Sequence, residues 1–496
     1  MVMRPALIAE GLEKIRSGRY LTIFAPRQAG KTTFFQLLIK ELRKEGKYMP
    51  IWISFEDLQD TAKKEFYEVL GHELSAELAE RGIQINRAIT SPVTLSRFFE
   101  ELRRQCPAVV LVIDEFEGVS KQALSGLLHS FRKIYHKRER HALHSLTLVG
   151  VSTLADLIVS SASPFNITDE LKIPYFSFDE VSNLIGQYTQ ESGQKFETQV
   201  IQAIYENSAG QPGLVNGLCA HLVEHVVSDR TKPVTMDDFY PTLNYFLKDR
   251  FDKNIINIVQ KARRRMALMM RMLFTDVPIP FTVHDPDIGF LYAHGVVENI
   301  GGFVNIAVPL YKKSLLTALR PSVNGESDYY VAAASNFSRY LSGDGLNMQA
   351  LLQQYVEYVT KRGYRAFDTK QLREGAWHYS LDGFINFFIE RLGGQTLTEV
   401  PSGRGRIDIL ILFRGKKYVI ETKRFTDQHY FQKGKGQLAE YLKTEGLEIG
   451  YYVVFSQKHA EGEALEAEEI IEGKRIVTRI IRVNFERPGR RRKKRS

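Results

Sequence analysis

Cysteine is almost missing from this chain. Two of its 496 residues are cysteines, Cys106 and Cys219, far apart and with no metal-ligand spacing around either. That excludes a disulfide scaffold and a cysteine-held zinc site, and it predicts a reducing, cytoplasmic setting with buried, inert thiols. No apolar run approaches the ~18 residues that a membrane span requires. Residues 1–18 (MVMRPALIAEGLEKIRSG) lack the basic start and apolar centre of a signal peptide and show helical periodicity with Glu10 and Glu13. No membrane partner is expected.

What the chain has in excess is positive charge. The net charge is +9, and residues 487–495 (RPGRRRKKR) supply most of that surplus. The tail over 487–496 reads as disordered and suited to nucleic acid, though it equally serves solubility. Hydrophobic content of 44% and charged content of 25% are those of an ordinary globular protein. A chain of this length predicts about three domains.

One stretch organises the rest. Residues 18–33 (GRYLTIFAPRQAGKTT) run a short apolar strand, with Leu21, Ile23 and Phe24, into Ala25-Pro26-Arg27-Gln28-Ala29-Gly30-Lys31-Thr32-Thr33. A helical pattern with Phe34, Phe35, Leu37, Leu38 and Leu42 follows. Strand, loop and helix in this order make a phosphate-binding loop. Backbone amides and the helix N-terminus cradle the phosphates, Lys31 reaches the terminal ones, and the Thr32 hydroxyl takes Mg2+. Only the first glycine of GxxxxGK[ST] is missing, replaced by Ala25. Alanine is tolerated there unless φ must be positive.

The following pattern extends the same site. A second strand over 48–55 precedes a long amphipathic region over 58–104. Residues 108–113 (AVVLVI) are apolar throughout, as in a parallel strand buried on both faces, and end in Asp114-Glu115. Ligands of doubly wound sheets sit at the carboxyl ends of strands. Asp114 is therefore expected in the Mg2+ shell, with Glu115 orienting or deprotonating the attacking water. A strand over 145–152 ends in Ser152-Thr153, which either senses the terminal phosphate or caps the next helix. The alternation of strands and helices over 20–160 predicts an α/β P-loop core.

These elements, with Ser163-Pro164-Phe165-Asn166-Ile167 and Gly210-Gln211-Pro212, resemble the AAA-like ATPases related to the STAND and origin-recognition groups. The likeness covers roughly residues 1–250. It implies a P-loop core over 1–175, a helical lid over 176–250, ATP as ligand, and a glycine-x-proline element near the nucleotide at Gly210 and Pro212. Gly-x-Pro also serves as a plain break between helices. Arg27, Arg138 and Arg140 are all available as an arginine finger, and nothing ranks them. A homo-oligomer and a regulatory protein partner are both left open.

Residues 251–320 read as winged-helix-like: a Met- and Arg-rich helix over 261–274, a segment over 285–294, then a hairpin around Gly301-Gly302. The methionines read as core filler. The cluster 261–265 could meet phosphate, but a charged run on a helix is usually a solvated face. Residues 321–328 read as a linker and 329–374 as a helical connector, helical over 329–362. Another helix lies within 372–393, with Phe384, Phe387, Phe388 and Leu392 apolar.

A second chemical pattern follows. Residues 407–413 (IDILILF), Arg414-Gly415 and 416–423 (KKYVIETK) form a hairpin. A two-residue turn sets Phe413 against Lys416 and Asp408 against Glu421; a four-residue turn sets Asp408 against Lys423. Either even register puts Asp408, Glu421 and Lys423 on one face. Two acids beside a lysine suit Mg2+ or Mn2+ held at a phosphodiester, with Lys423 orienting water or neutralising charge. An ordinary charged, solvent-exposed face is the plain alternative.

With Gly405-Arg406-Ile407-Asp408, Glu421-Thr422-Lys423, then Gln437 and Tyr441 on one helix face, and a closing strand over 450–455, the segment resembles the PD-(D/E)XK nucleases. The Gln-xxx-Tyr element is similar to the RecB-type branch, where it contacts the site or DNA. The resemblance implies an α-β-β-β-α-β domain over 375–486. An upstream acid is often added in that family; Glu390 and Glu399 compete, and Glu399 is preferred. The expected fold class is a multidomain α/β chain with an AAA-like core, helical lid, winged-helix-like middle and restriction-endonuclease-like end. The expected function is an ATP-driven switch controlling a metal-dependent DNA nuclease. The alternative is a regulatory ATPase whose C-terminal domain only binds nucleic acid or a partner.

Overall fold

The computed structural model describes residues 2–106, 108–150, 167–250, 252–274, 278–319, 334–362, 374–403, 405–456 and 466–483. Helix α1 (Pro5–Arg16) opens on a proline, where no helical amide is missed, and turns Ile8, Leu12 and Ile15 inward. Then come β1 (Tyr20–Phe24), α2 (Lys31–Glu45), β2 (Met49–Ser54), α3 (Lys63–Ala79), α4 (Pro92–Leu102), β3 (Val109–Asp114), α5 (Leu124–His136), β4 (Leu143–Gly150) and β5 (Thr168–Glu170). All five strands pair in parallel, in the order β2-β3-β4-β1-β5.

Two apolar layers explain why the third strand has no polar alternation. Val109, Leu111 and Ile113 pack with α3, α4 and α5, while Val110 and Val112 pack with α1 and α2. Both faces are buried, so every residue must be apolar. Strand β4 lies between β1 and β3, which brings the loop after β1 and the acidic end of β3 to the same edge. Of the expected elements there, Ser152, Thr153 and 163–166 lie outside the described residues.

Four helices follow: α6 (Phe178–Ser192), α7 (Thr198–Ser208), α8 (Pro212–His221) and α9 (Met236–Lys248). Ser177 and Glu180 close a capping box on the first of them. The next segment holds α10 (Lys253–Arg263), α11 (Met266–Phe274), α12 (Pro286–Ala293), the antiparallel pair β6 (Glu298–Ile300) and β7 (Phe303–Asn305), and α13 (Pro309–Ala318). The single helix expected over 261–274 is broken in two. The amides of Arg264 and Arg265 bond three residues back, to Lys261 and Ala262, and tighten the chain. Arg265 then pairs with Asp287 at 2.8 Å and lies over the Phe290 ring, so it is spent on α12. Met269 and Met272 are buried, as core filler should be.

The helix expected over 329–362 is also corrected. Residues 341–346 form a small hairpin of β8 (Leu341–Ser342) and β9 (Gly345–Leu346), and the long helix α14 begins only at Met348 (Met348–Arg362). Helix α15 (Glu374–Arg391) leads into β10 (Gln395–Ser402), β11 (Gly405–Phe413), β12 (Lys416–Arg424), α16 (Gln428–Thr444), β13 (Ile449–Ser456), β14 (Glu466–Ile471) and β15 (Lys474–Arg482). The sheet order is β10-β11-β12-β13-β15-β14. Strands β10 and β12 each pair antiparallel with β11, whereas β13 runs parallel to β12 and β15. Helices α14 and α15 cover one face. The other face shares a continuous apolar cluster with α16, the middle segment and the four helices after β5. The linker 321–328 and the tail 487–496 lie outside the described residues. Among the described residues no helix is long and apolar enough to cross a membrane.

Candidate functional site

The loop 25–30 turns sharply between β1 and α2. Its left-handed residues are Gln28 (φ 59°) and Gly30 (φ 87°), not Ala25, so the first position needs no glycine. Ala25 is buried and its amide donates to the Gly150 carbonyl at 3.2 Å. Lys31 Nζ folds back onto the loop, donating to the carbonyl oxygens of Ala25 at 2.6 Å and Pro26 at 3.1 Å. Burial lowers its pKa, against the pull of Glu117, Asp114 and Glu115 at and just beyond the end of β3. Thr32 is exposed at the first turn of α2.

Asp114 ends β3, and its Oδ1 accepts the Glu115 amide at 2.9 Å. Glu115 itself is left-handed, at φ 49°. Burial, then Glu56, Asp114 and Glu117, raise its carboxyl above the usual range, and Arg27 opposes them. A carboxylate so raised is a better proton acceptor than an ordinary one at neutral pH.

Helix α8 grips the loop. Gln211 Nε2 donates to the carbonyls of Arg27 and Gln28, both at 3.3 Å, and the Gly213 amide donates to Gln28 at 3.2 Å. Pro212 Cγ comes within 3.8 Å of where a Cβ on Gly30 would sit. Together they bound a cavity of about 440 Å3, a size that suits a small ligand. Gln28, Ala29, Gly30, Lys31, Thr32 and Thr33 line one side, and Pro212, Gly213 and Asn216 another. Val2, Met3, Arg4, Phe176 and Leu184 join Ile8, Phe34 and Leu37 in the rest of the wall, and sequence reasoning missed those first five. Arg4 is held there by Glu180 at 2.9 Å and by the Tyr175 carbonyl at 3.1 Å, bonds between segments that no local pattern announces.

The second cluster lies on the hairpin β11–β12. Of the two even registers, the two-residue turn is the one formed: Phe413 pairs with Lys416 and Ile409 with Ile420. Arg414 and Gly415 both adopt positive φ, as such a turn demands. Lys423 Nζ lies 2.7 Å from Glu421 Oε1 and 3.9 Å from Asp408 Oδ2. Glu421 is 1% exposed, against 23% for Asp408 and 30% for Lys423. Asp408 Oδ2 also accepts the Thr422 amide at 2.7 Å and the Thr422 hydroxyl at 2.8 Å. Tyr441 OH accepts the Arg406 amide at 3.0 Å and lies 2.6 Å from Gln437 Nε2. Burial first, and then Glu421 and Asp408, raise the Tyr441 pKa.

The two upstream acids are each engaged with other residues. Glu399 accepts the Tyr379 hydroxyl at 2.9 Å and pairs with Lys312 at 3.3 Å. Its backbone is left-handed within β10, at φ 51°. Burial pushes Glu399 up, but Lys312, Lys313 and Tyr379 outweigh it and bring the pKa down to about 2. Glu390 is paired with Lys248. Among the described residues, no three or more His, Cys, Asp or Glu side chains gather as a metal would require. Sequence reasoning missed one α15 residue beside the cluster: His378 Nδ1 lies 3.3 Å from Thr422 Oγ1.

A phosphate loop opening α2, an acid-ended strand two places away in a parallel sheet, and a helix clasping the loop define a P-loop ATPase domain. The chain belongs to the AAA-like domain family, whose model matches residues 2–314. A second family model, a domain of unknown function (DUF8371), matches residues 346–459. No curated protein matches the chain. Among solved structures, it is similar to the Walker-type ATPase PABY2304 of Pyrococcus abyssi, with 16% identity, 65% of this chain and 96% of that one covered, and a TM-score of 0.49. Cdc6p of Pyrobaculum aerophilum matches with 13% identity, 64% and 93% coverage and a TM-score of 0.37. The RuvB Holliday junction branch migration motor of Thermotoga maritima matches with 14% identity, 61% and 90% coverage and a TM-score of 0.36.

Proposed function

We propose that the protein is an ATP-binding and ATP-hydrolysing switch that controls a second, metal-dependent phosphodiesterase site acting on DNA. In this reading Lys31 leaves the Ala25 and Pro26 carbonyls for the terminal phosphates, and the amides of residues 25–33 and the start of α2 hold the rest. Thr32 and Asp114 would hold Mg2+ when it accompanies the nucleotide, and Glu115 takes the proton of the attacking water. Pro212 closes the cavity over the nucleotide.

The observation that carries the second half is the position of Lys423 Nζ, within reach of both Glu421 and Asp408 on one face of the sheet. The α15-β10-β11-β12-α16-β13 order supports this reading, since it is the element order that a resemblance to PD-(D/E)XK nucleases implies. An all-oxygen pair such as Asp408 and Glu421 suits Mg2+ or Mn2+, ions that complete their shells with water and substrate phosphate. Such an ion, when bound, supplies an activated water and neutralises charge at phosphorus. Lys423 orients that water; Gln437 and Tyr441 position the strand. Glu399 and Glu390, each engaged with a lysine, are left out of the ligand set.

A regulatory ATPase with a non-catalytic C-terminal domain is the competing reading, favoured by the lack of a third gathered acid among the described residues. The test is cleavage of plasmid, linear and single-stranded DNA with Mg2+ or Mn2+, with ATP, with a non-hydrolysable analogue and without nucleotide. Cutting that Lys423→Ala or Glu421→Ala removes supports the nuclease. No cutting under any of these conditions leaves the regulatory reading.

A further inference from the structure

A buried lysine stands between the two sites. Lys313 of α13 is 3% exposed; its Nζ donates to Asn207 Oδ1 at 3.0 Å and to the Glu399 carbonyl at 3.3 Å. Burial brings its pKa down to about 8. An ammonium so enclosed depends on the acceptors it has, because losing one leaves charge without solvent or partner.

Each acceptor is tied to one site by a short, stiff piece of chain. Asn207 is followed by a left-handed corner, Ala209 (φ 49°) and Gly210 (φ 73°). The Phe176 amide donates to the Gly210 carbonyl at 2.8 Å, and a Cβ on Gly210 would lie 1.9 Å from the Phe176 carbonyl oxygen. The next residue is Gln211, whose amide nitrogen holds the loop carbonyls of Arg27 and Gln28. The same corner therefore clasps the phosphate loop at one end and Lys313 at the other.

On the opposite side, the register of β10 and β11 sets the backbone of Glu399 across from that of Asp408. The pairs Thr398↔Ile409 and Val400↔Ile407 flank this rung, and the ladder omits it. Rung neighbours in a sheet are about 5 Å apart. Asp408 in turn fixes the Thr422 amide and hydroxyl between Glu421 and Lys423.

We propose that the Asn207–Lys313–Glu399 junction transmits the nucleotide state of the loop to the Asp408–Glu421–Lys423 cluster. The proposal rests on the reading of both sites given above and names how one regulates the other. Nucleotide in the cavity competes for the loop that Gln211 and Gly213 hold and shifts the α7–α8 corner. Lys313 follows Asn207 or keeps Glu399, and the omitted rung beside Asp408 is held or released accordingly. These two arrangements are the states that the ligand selects between.

The experiment is hydrogen exchange on the full-length chain, read in peptides covering 395–424, with Mg2+ and a non-hydrolysable ATP analogue and without. Nucleotide affinity is measured alongside. In the wild type, exchange in this segment should change at least about fivefold on binding. Lys313→Met, which keeps the length of the side chain without its charge, should bind nucleotide within about threefold of wild type and show no such change. Asn207→Ala should behave alike, and a cooperative thermal transition in each variant shows that it folds. A response that persists in both variants overturns the proposal, as does a wild type that binds nucleotide with no response over 395–424. Loss of nucleotide binding in the wild type would remove the P-loop reading and this proposal with it. DNA cleavage is scored separately, so failure of the nuclease reading alone leaves the exchange result standing.

Discussion

Lys31 Nζ lies 2.6 Å from the carbonyl oxygen of Ala25, the residue that replaces the usual first glycine of the loop. The ammonium is stored against the very backbone that must later present phosphate. Exchange of two carbonyls for phosphate oxygens is therefore local and needs no long side-chain excursion. Lys31→Ala should abolish ATP turnover in a phosphate-release assay. Ala25→Gly should leave turnover within about threefold, since the left-handed positions are Gln28 and Gly30. A large gain in turnover with glycine would show that Ala25 restrains the loop.

Glu115→Gln should separate binding from hydrolysis. The amide cannot accept the proton of water, so ATP hydrolysis should fall by about 10²–10⁴ while analogue affinity stays close to wild type. Unchanged hydrolysis would move the role to Glu117 or Glu56, which both act on Glu115 electrostatically.

At the second site, Glu421→Gln and Lys423→Ala should each remove DNA cleavage and leave ATP hydrolysis intact. Excess EDTA should stop cleavage in the wild type, and Mg2+ or Mn2+ should restore it. Cleavage surviving in both variants would place the chemistry elsewhere.

Glu399 makes a pH prediction. Its carboxyl is held at about 2 instead of the ordinary 4.5. A depressed acid stabilises the fold fully above the ordinary value, and that contribution is lost as pH falls from about 4.5 towards 2. The size is about 3 kcal/mol. Urea unfolding followed between pH 7 and 2.5 should therefore show a steeper loss in the wild type than in Glu399→Gln. Equal slopes would deny the pairing with Lys312.

Gly210→Ala tests the corner before α8. A side chain there meets the Phe176 carbonyl and a positive φ at once. The variant should lose about 2 kcal/mol or more of stability and bind nucleotide poorly, measured by denaturant titration and analogue binding.

What the sequence made legible was local or periodic. The loop, the apolar strand ending in Asp114 and the two-residue turn at Arg414-Gly415 are short patterns whose geometry follows from backbone sterics and a period of two. The convergence of Asp408, Glu421 and Lys423 follows from that same period. Other features depend on contacts between distant segments. The wall formed by Val2, Met3 and Arg4 exists because Arg4 finds Glu180, 176 residues away. Glu399 is drawn to Lys312, Lys313 and Tyr379, and no spacing in β10 encodes that. The break at Arg264-Arg265 likewise arises where Arg265 finds Asp287 and Phe290.

Strand β1 has a consequence for synthesis. Its partners in the sheet are β4 and β5, beginning at Leu143 and Thr168. As the chain leaves the ribosome, the strand that carries the phosphate loop emerges first and waits for partners more than a hundred residues behind. At about 5–20 residues per second, that wait lasts on the order of ten seconds. During it, β1 exposes both edges and its apolar side chains, while the later hairpin β11–β12 can pair as soon as its turn appears. The nucleotide site is therefore completed long after its first strand is made, whereas the hairpin carrying the second site closes on residues next to it in the chain.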